Sequence, residues 1–573
     1  MTEAVLPHRI PAGGSALRRL LSARNLILLG VAAVIAYLGL VPLGYLLWKT
    51  FTHGGAISVA NFRTAYSTVG LGGMTLNSLA FAFGSSAFAI ALGTVLAYLI
   101  VRTDVPFKPL MFAASLVPLI IPGILHTISW IFLASPQIGI FNQWFFRPVF
   151  GGSLNVFSIP GMIVVEGFHL SPLVFLLMVA SFRSMDPSLE ESAIMSGASL
   201  LTVFRRVTLP LARPALYAAA LIMVVRGLES FEVPAVLGLP AHIWVFTSRI
   251  WSVLNALPPD YGQAGAYAMS LLVLTSVGIF AHSRLARRAR SFQTVTGKGF
   301  RPRPVALGAW RWPATGFIFL YFLIAVVGPI LILLYASTQQ FYSPPSHDTL
   351  SHMSFANYSA EFHDPLVRHA FKNSLILGLG AATGVMFLGA LASWLVVRTT
   401  LPGRWLVDNL AFLPLIIPGL VLGVALLYVY LRVPLAIYGT LWILFIAYMT
   451  RFMPYGMRYA STSMFQLGRE LEESAQMSGA GWWQTFRRIV LPLLMPGLTA
   501  GWIYVLIVSV RELGSSVLLY SPGKEVLSIV IWEQYRNGEL PQVATVGVML
   551  IGALVVLVTV AYKLGARIGV KEA

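Results

Sequence analysis

The side chains best placed to do chemistry are charged groups set inside apolar runs. Glu166 with His169, Arg226 with Glu229 and Glu232, Arg451, and Arg511 with Glu512 all interrupt stretches that are otherwise hydrophobic. Ionisable groups in such surroundings are costly and have to face a cavity or a partner. Two readings fit them. The carboxylates line a route for a hard cation, which prefers oxygen ligands, or the charges pair between helices and neutralise one another. Arg226 favours the second, since it would repel a cation. Glu229 and Glu232, at i and i+3, are expected on one helical face with Arg226 a turn earlier. No resident metal site is implied, because a transit path must release what it holds.

Enzyme chemistry finds no footing. Gly297-Lys298-Gly299 and Gly523-Lys524-Glu525 lack the upstream glycine and the hydroxyl of a phosphate-cradling loop. There is no H-E-x-x-H run and no G-x-S-x-G elbow. With no cysteine, the chain has no disulfide, thiolate metal site, iron–sulfur cluster or cysteine nucleophile. The expectation is no catalytic residue and no cofactor or metal site.

The elements that hold these charges are set by composition. Of 573 residues, 57% are hydrophobic and 10% charged, and the mean hydropathy is +0.78. Soluble proteins carry about 25% charged residues, so a soluble enzyme is excluded and a polytopic membrane protein remains. A spanning helix needs about 20 apolar residues. Twelve runs qualify: 26–48, 76–101, 111–134, 159–180, 215–238 and 264–282, then 314–337, 373–397, 406–431, 437–460, 497–520 and 543–562. The N-terminal basic residues precede a run too long for a signal peptide, so it reads as an uncleaved first span. With the N-terminus inside, about 27 of the 39 Lys and Arg fall in cytoplasmic segments and about 9 outside, as the positive-inside rule requires. The net charge of +18 is then topological rather than a nucleic-acid footprint.

An internal repeat organises the spans. Residues 190–214 read EESAIMSGASLLTVFRRVTLPLARP and residues 472–496 read EESAQMSGAGWWQTFRRIVLPLLMP. LVPLIIPG at 116–123 matches FLPLIIPG at 412–419, Val101-Arg102-Thr103 matches Val397-Arg398-Thr399, and Asn77-Ser78-Leu79 matches Asn373-Ser374-Leu375. The first copy carries extra residues in the loop around 135–158. Six spans per copy give both copies the same topology, related by an axis along the membrane normal. The expected units are a tail at 1–25, a first six-helix domain at 26–282, a basic linker at 283–313, a second domain at 314–563 and a tail at 564–573. The proline runs at 118–122 and 414–418 must disturb helix hydrogen bonding and predict a fixed kink.

The long matched segment lies between the fourth and fifth spans of each copy, on the cytoplasmic side in both. Asp186-Pro187-Ser188 is a helix-start signal; Glu190 and Glu191 sit in the first turn, and Gly197 can end the helix. Small residues there let another surface approach closely. Both segments resemble the "EAA" loop of bacterial ABC-importer permeases: Glu191-Ser192-Ala193, Gly197 and Leu209-Pro210 in one, Glu473-Ser474-Ala475, Gly479 and Leu491-Pro492 in the other. Serine replaces the middle alanine of that pattern in both.

The resemblance implies an all-α fold of about 12 transmembrane helices in a bacterial plasma membrane, with both termini cytoplasmic. It implies that Glu190, Glu191, Ala193, Gly197, Pro210, Glu472, Glu473, Ala475, Gly479 and Pro492 form two coupling loops for two copies of a cytoplasmic ATPase. That partner would hold ATP and Mg2+. An extracytoplasmic binding protein would deliver the substrate. Over nearly the whole chain, stretches such as GMIVVEG at 161–167, LESFEVPAVLG at 228–238 and PPDYG at 258–262 look like fused iron(III) permeases. Permeases for 2-aminoethylphosphonate, thiamine, polyamines or sulfate share the architecture and stand as alternatives. An ion-coupled secondary transporter would need no such loop, and a membrane enzyme would need a clustered active site.

Overall fold

The computed structural model describes residues 23–68, 71–289, 304–401 and 403–567. Apart from one short hairpin, Thr52–His53 with Ala56–Ile57, its regular structure is helical. In hydrocarbon every backbone polar group has to be satisfied within its own segment, which leaves helices as the spanning form for these runs.

In the first half the spans are Ala23–Thr50, Leu71–Arg102, the bent pair Lys108–Leu119 with Gly123–Ala134, Ile159–Ser184, Arg213–Glu229 and Tyr261–Ala289. The second half repeats them as Gly308–Ser337, Pro365–Arg398, the bent pair Arg404–Leu415 with Gly419–Tyr430, Leu441–Gln466, Trp482–Val510 and Leu540–Arg567. Among the described residues, length and apolarity alone qualify eight helices, or eleven with the bent pairs counted. Leu441–Gln466 is the twelfth segment. Its 26 residues match those of Ile159–Ser184, and each carries an internal proline, Pro454 and Pro172.

Three expectations change. The third and ninth spans are not kinked helices but broken ones, bent by 101° and 108°. Pro122 and Pro418 adopt extended ψ values of 138° and 142°, which end one helix and start another. The fifth helix stops at Glu229 rather than running to 238, because Pro234 has no N–H for the Ser230 carbonyl and its ring would clash with it. Glu229 and Glu232 therefore lie on either side of a break, not on one helical face. Likewise the eleventh helix ends at Val510, placing Arg511 and Glu512 in a turn before the short helix Ser516–Leu519.

Of the expected tails and linker, residues 1–22, 290–303 and 568–573 lie outside the described residues. Residues 283–289 extend the sixth helix, and Gly308 onward belongs to the seventh span. The short stretch between is held. Val305 donates its N–H to the Arg102 carbonyl (2.8 Å) and accepts from Asp104 N (3.1 Å), while Leu307 N donates to Asp104 Oδ1 (2.9 Å).

The halves exchange their first spans, as two copies about a two-fold axis can. The first span lies against the ninth, with Tyr37 and Tyr430 hydroxyls 2.6 Å apart. The seventh lies against the third, and its Tyr321 hydroxyl reaches Ser171 of the fourth at 3.1 Å. Small repeated motifs now have structural work. Asn77 and Ser78 bind the Trp244 carbonyl (3.3 Å) and the Phe246 N–H (3.1 Å), and Asn373 and Ser374 bind the Glu525 carbonyl (2.9 Å) and the Leu527 N–H (2.8 Å). Each pair fixes the start of a short helix, Phe246–Leu254 or Leu527–Asn537, that follows the break after the fifth or eleventh span.

Candidate coupling loops and the buried charge cluster

Each repeated segment begins with an eight-residue helix, Ser188–Met195 or Glu470–Met477. Asp186 Oδ1 accepts the Ser188 N–H at 2.9 Å and starts the first. Both helices end the same way. The carbonyls of Ala193 and Ala475 accept the N–H groups of Ala198 (3.1 Å) and Ala480 (3.0 Å), across glycines at φ 84° and 82°. That left-handed conformation disfavours any side chain, and a Cβ on Gly197 or Gly479 would meet nothing within 4 Å. Substitution there would disturb the loop's backbone and whatever docks on it, not internal packing.

The two neighbouring glutamates divide into different roles. Glu191 and Glu473 are exposed, and beside them Met195 and Met477 are 91% and 90% exposed. Glu190 and Glu472 are buried and hold the loop to the membrane domain. Glu190 Oε2 accepts from both Nε (3.1 Å) and Nη2 of Arg102, and its Oε1 accepts the Thr208 hydroxyl at 2.6 Å. Glu472 pairs with Arg398 at 2.8 Å and accepts the Trp394 indole N–H at 3.2 Å. The same arginines cap the preceding span, through Met185 O at 3.5 Å and Leu467 O at 2.7 Å. Pro210 and Pro492 follow π-helical turns, Phe204–Thr208 and Phe486–Val490, that lead into the fifth and eleventh helices.

The second feature lies between the halves. Arg451 pairs with Glu512 at 3.2 Å, and the other Glu512 oxygen accepts from Ser515 N (2.9 Å) and Oγ (3.2 Å). The Ser230 hydroxyl donates to Glu166 at 3.0 Å. Arg226 donates to the Tyr455 hydroxyl at 2.7 Å, and Arg511 donates to the Leu119 carbonyl. Glu232 packs on Gly123, where a Cβ would collide with its carboxylate; at the matching Gly419 a Cβ would collide with the Arg451 guanidinium. The buried His126 adds a ring 5.3 Å from that of His169. Next to Glu232, Phe231 packs 5.6 Å from Trp532, which in turn lies 5.4 Å from Trp251. Among the described residues no three His, Asp or Glu side chains converge as a metal site.

The sequence pattern of one family matches both halves. Described as the binding-protein-dependent transport system inner membrane component, it covers residues 89–291 and 385–568. The chain belongs to this family. The inner membrane component is 28% identical over 380 residues to the putative ferric transport system permease protein FbpB 1 of Haemophilus influenzae, covering 65% of this chain and 58% of that protein. It is 26% identical over 467 residues to the Fe(3+)-transport system permease protein FbpB 2 of the same organism, covering 81% and 84%. The chain thus spans 58% of the length of the first relative and 84% of the second. A solved bacterial ABC transporter involved in the import of alginate aligns over 45% of this chain and 96% of its own, at 20% identity and a TM-score of 0.37.

Several residues that position these sites were not legible as such. Arg102 and Arg398 stand in the repeated Val-Arg-Thr, and the coincidence of a duplicated span-end arginine with a duplicated loop glutamate was the available signal. Tyr455 and His126 gave none, because a tyrosine or histidine in an apolar run is most often plain packing. Glu166, Glu229, Glu232, Arg511 and Glu512 do gather in one region, but of these only Glu512 has an ion-pair partner within 4.0 Å among the described residues.

Proposed function

We propose that the chain forms the translocation pathway of an ATP-driven importer for iron(III). An extracytoplasmic binding protein delivers the cargo, and two copies of a cytoplasmic ABC ATPase grip the two loops, with both termini on that same side. The observation that carries this reading is the doubled loop. Two helices 282 positions apart share a buried Glu–Arg anchor, a positive-φ glycine and an exposed Glu-and-Met face. A duplicated anchor with a duplicated free surface is what two identical partners would need. Iron(III) as cargo rests on the relatives named ferric permeases.

The cargo route is proposed to pass the charge cluster. Glu229 and Glu232 belong to the proposed lining with Glu166, since none of them sits in an ion pair within 4.0 Å among the described residues. Glu512 and Arg511 are already engaged, by Arg451 and by the Leu119 carbonyl. Reconstituting the chain with candidate ATPase and binding-protein subunits, and measuring iron uptake into vesicles, tests the assignment. ATP-dependent uptake of iron(III) that stops without the binding protein is expected. Uptake of 2-aminoethylphosphonate in place of iron would overturn the substrate. Glu229→Gln with Glu232→Gln should slow iron uptake at least about tenfold, equivalent to about 1.4 kcal/mol; unchanged uptake would remove them from the route.

A further inference from the structure

We infer that Arg226 and Arg511 are a reciprocal clasp between the two halves, holding them together in the conformation described and releasing when they move apart. Arg226 stands near the end of the fifth helix and reaches the tenth span of the other half at Tyr455 (2.7 Å). Arg511 follows the end of the eleventh helix and reaches the broken third span of the first half at the Leu119 carbonyl. Each half thus sends one guanidinium across to the other, from the corresponding end of corresponding helices.

One acceptor stands at a proline break and the other follows a proline inside an unbroken helix. Leu119 closes the turn before Pro122, where the chain bends by 101°, so its carbonyl has no continuing helix to satisfy it. Tyr455 directly follows Pro454 inside the tenth span. Its ring packs 5.1 Å from Tyr504, which comes from the eleventh.

The chemistry of the partners distinguishes a clasp from a permanent joint. Arg102, Arg398 and Arg451 pair with carboxylates, and the first two, at the loops, have side chains only 1% and 7% exposed. Arg226 and Arg511 have no carboxylate within 4.0 Å among the described residues and donate to neutral oxygens instead. A guanidinium bonded to a neutral oxygen is held less tightly than one in a desolvated ion pair. It also keeps spare donors for a second arrangement. Loop anchors that must survive every cycle use the strong form, and the contact between moving halves uses the weak one.

This rests on the proposed transport cycle only for its purpose; the contact can be tested without cargo or ATPase. The chain lacks cysteine, so Met195→Cys and Met477→Cys place two unique spin labels on the coupling helices. Distances between them are measured by pulsed electron resonance on the full chain in lipid nanodiscs. Arg226→Gln with Arg511→Gln should raise the longer-distance population at least about twofold. Tyr455→Phe alone should move it less, in the same direction, and Arg226→Lys with Arg511→Lys should bring it back towards the parent. Should the Gln pair fail to fold, Tyr455→Phe, which removes one oxygen, is read by itself. A distance distribution identical to the parent in both variants would overturn the clasp, even if iron uptake fell. A shifted distribution in a chain that carries no iron would leave the clasp standing and overturn the substrate.

Discussion

The two halves are alike at one end and opposite in the middle. At the loops the match extends to chemistry. Each buried glutamate has its arginine, and where the second partner differs the difference is compensated. Thr208 serves Glu190, but the matching position in the second half is Val490, which cannot donate, and Trp394 supplies an indole N–H where the first half has Tyr98. At the broken spans the same Pro-Gly turn meets a carboxylate in one half and a guanidinium in the other. A carboxylate at the start of the helix Gly123–Ala134 complements its dipole, whereas Arg451 at the start of Gly419–Tyr430 does not and is balanced by Glu512 instead. Symmetry is kept where identical partners are proposed to bind and lost where one cargo is proposed to pass.

That contrast can be broken most severely at the anchors. Glu190→Ala and Glu472→Ala each leave a buried arginine unpaired, which costs about 3–5 kcal/mol. Thermal unfolding of the purified chain should fall by similar amounts for both, and a harmless change in either half would end the equivalence. A smaller effect sharpens it. Thr208→Val should cost about 1.5–3 kcal/mol, the worth of a hydrogen bond to a charged group. Val490→Thr should make up in the second half for part of the loss caused by Trp394→Phe, read in the same unfolding assay.

The smallest effect on stability falls at the exposed glycines. Gly197→Leu with Gly479→Leu forces a side chain into left-handed backbone, at about 1–2 kcal/mol each. Either change alone should cost less stability than the loss of an anchor, while in the pair ATPase co-purification and uptake should fall severely; normal uptake by that double variant would count against docking at these helices.

Much of this was visible in the residues alone. Apolar length placed twelve spans, and the repeat paired them in the right order. The first loop helix begins just after Asp186-Pro187, as read, and Gly197 lies just past its end. The breaks were not visible, because hydropathy measures burial and not direction: a run such as 111–134 stays apolar whether straight or bent by 101°. Pro234 was the overlooked cue that separates Glu229 from Glu232. The anchors were hidden for another reason. Arg102 and Glu190 are neighbours only after the second and fourth spans pack, and no local pattern carries that distance. The exchange of Thr208 for Trp394 becomes readable only once both pairs are seen.

The central claim is that one chain carries the same docking element twice. Native mass spectrometry of the chain co-purified with the proposed ATPase partner tests it directly. The account predicts two ATPase copies for each chain, falling to one when Glu191 and Gly197 alone are replaced. A complex with a single copy from the unaltered chain, or one indifferent to those replacements, would contradict it.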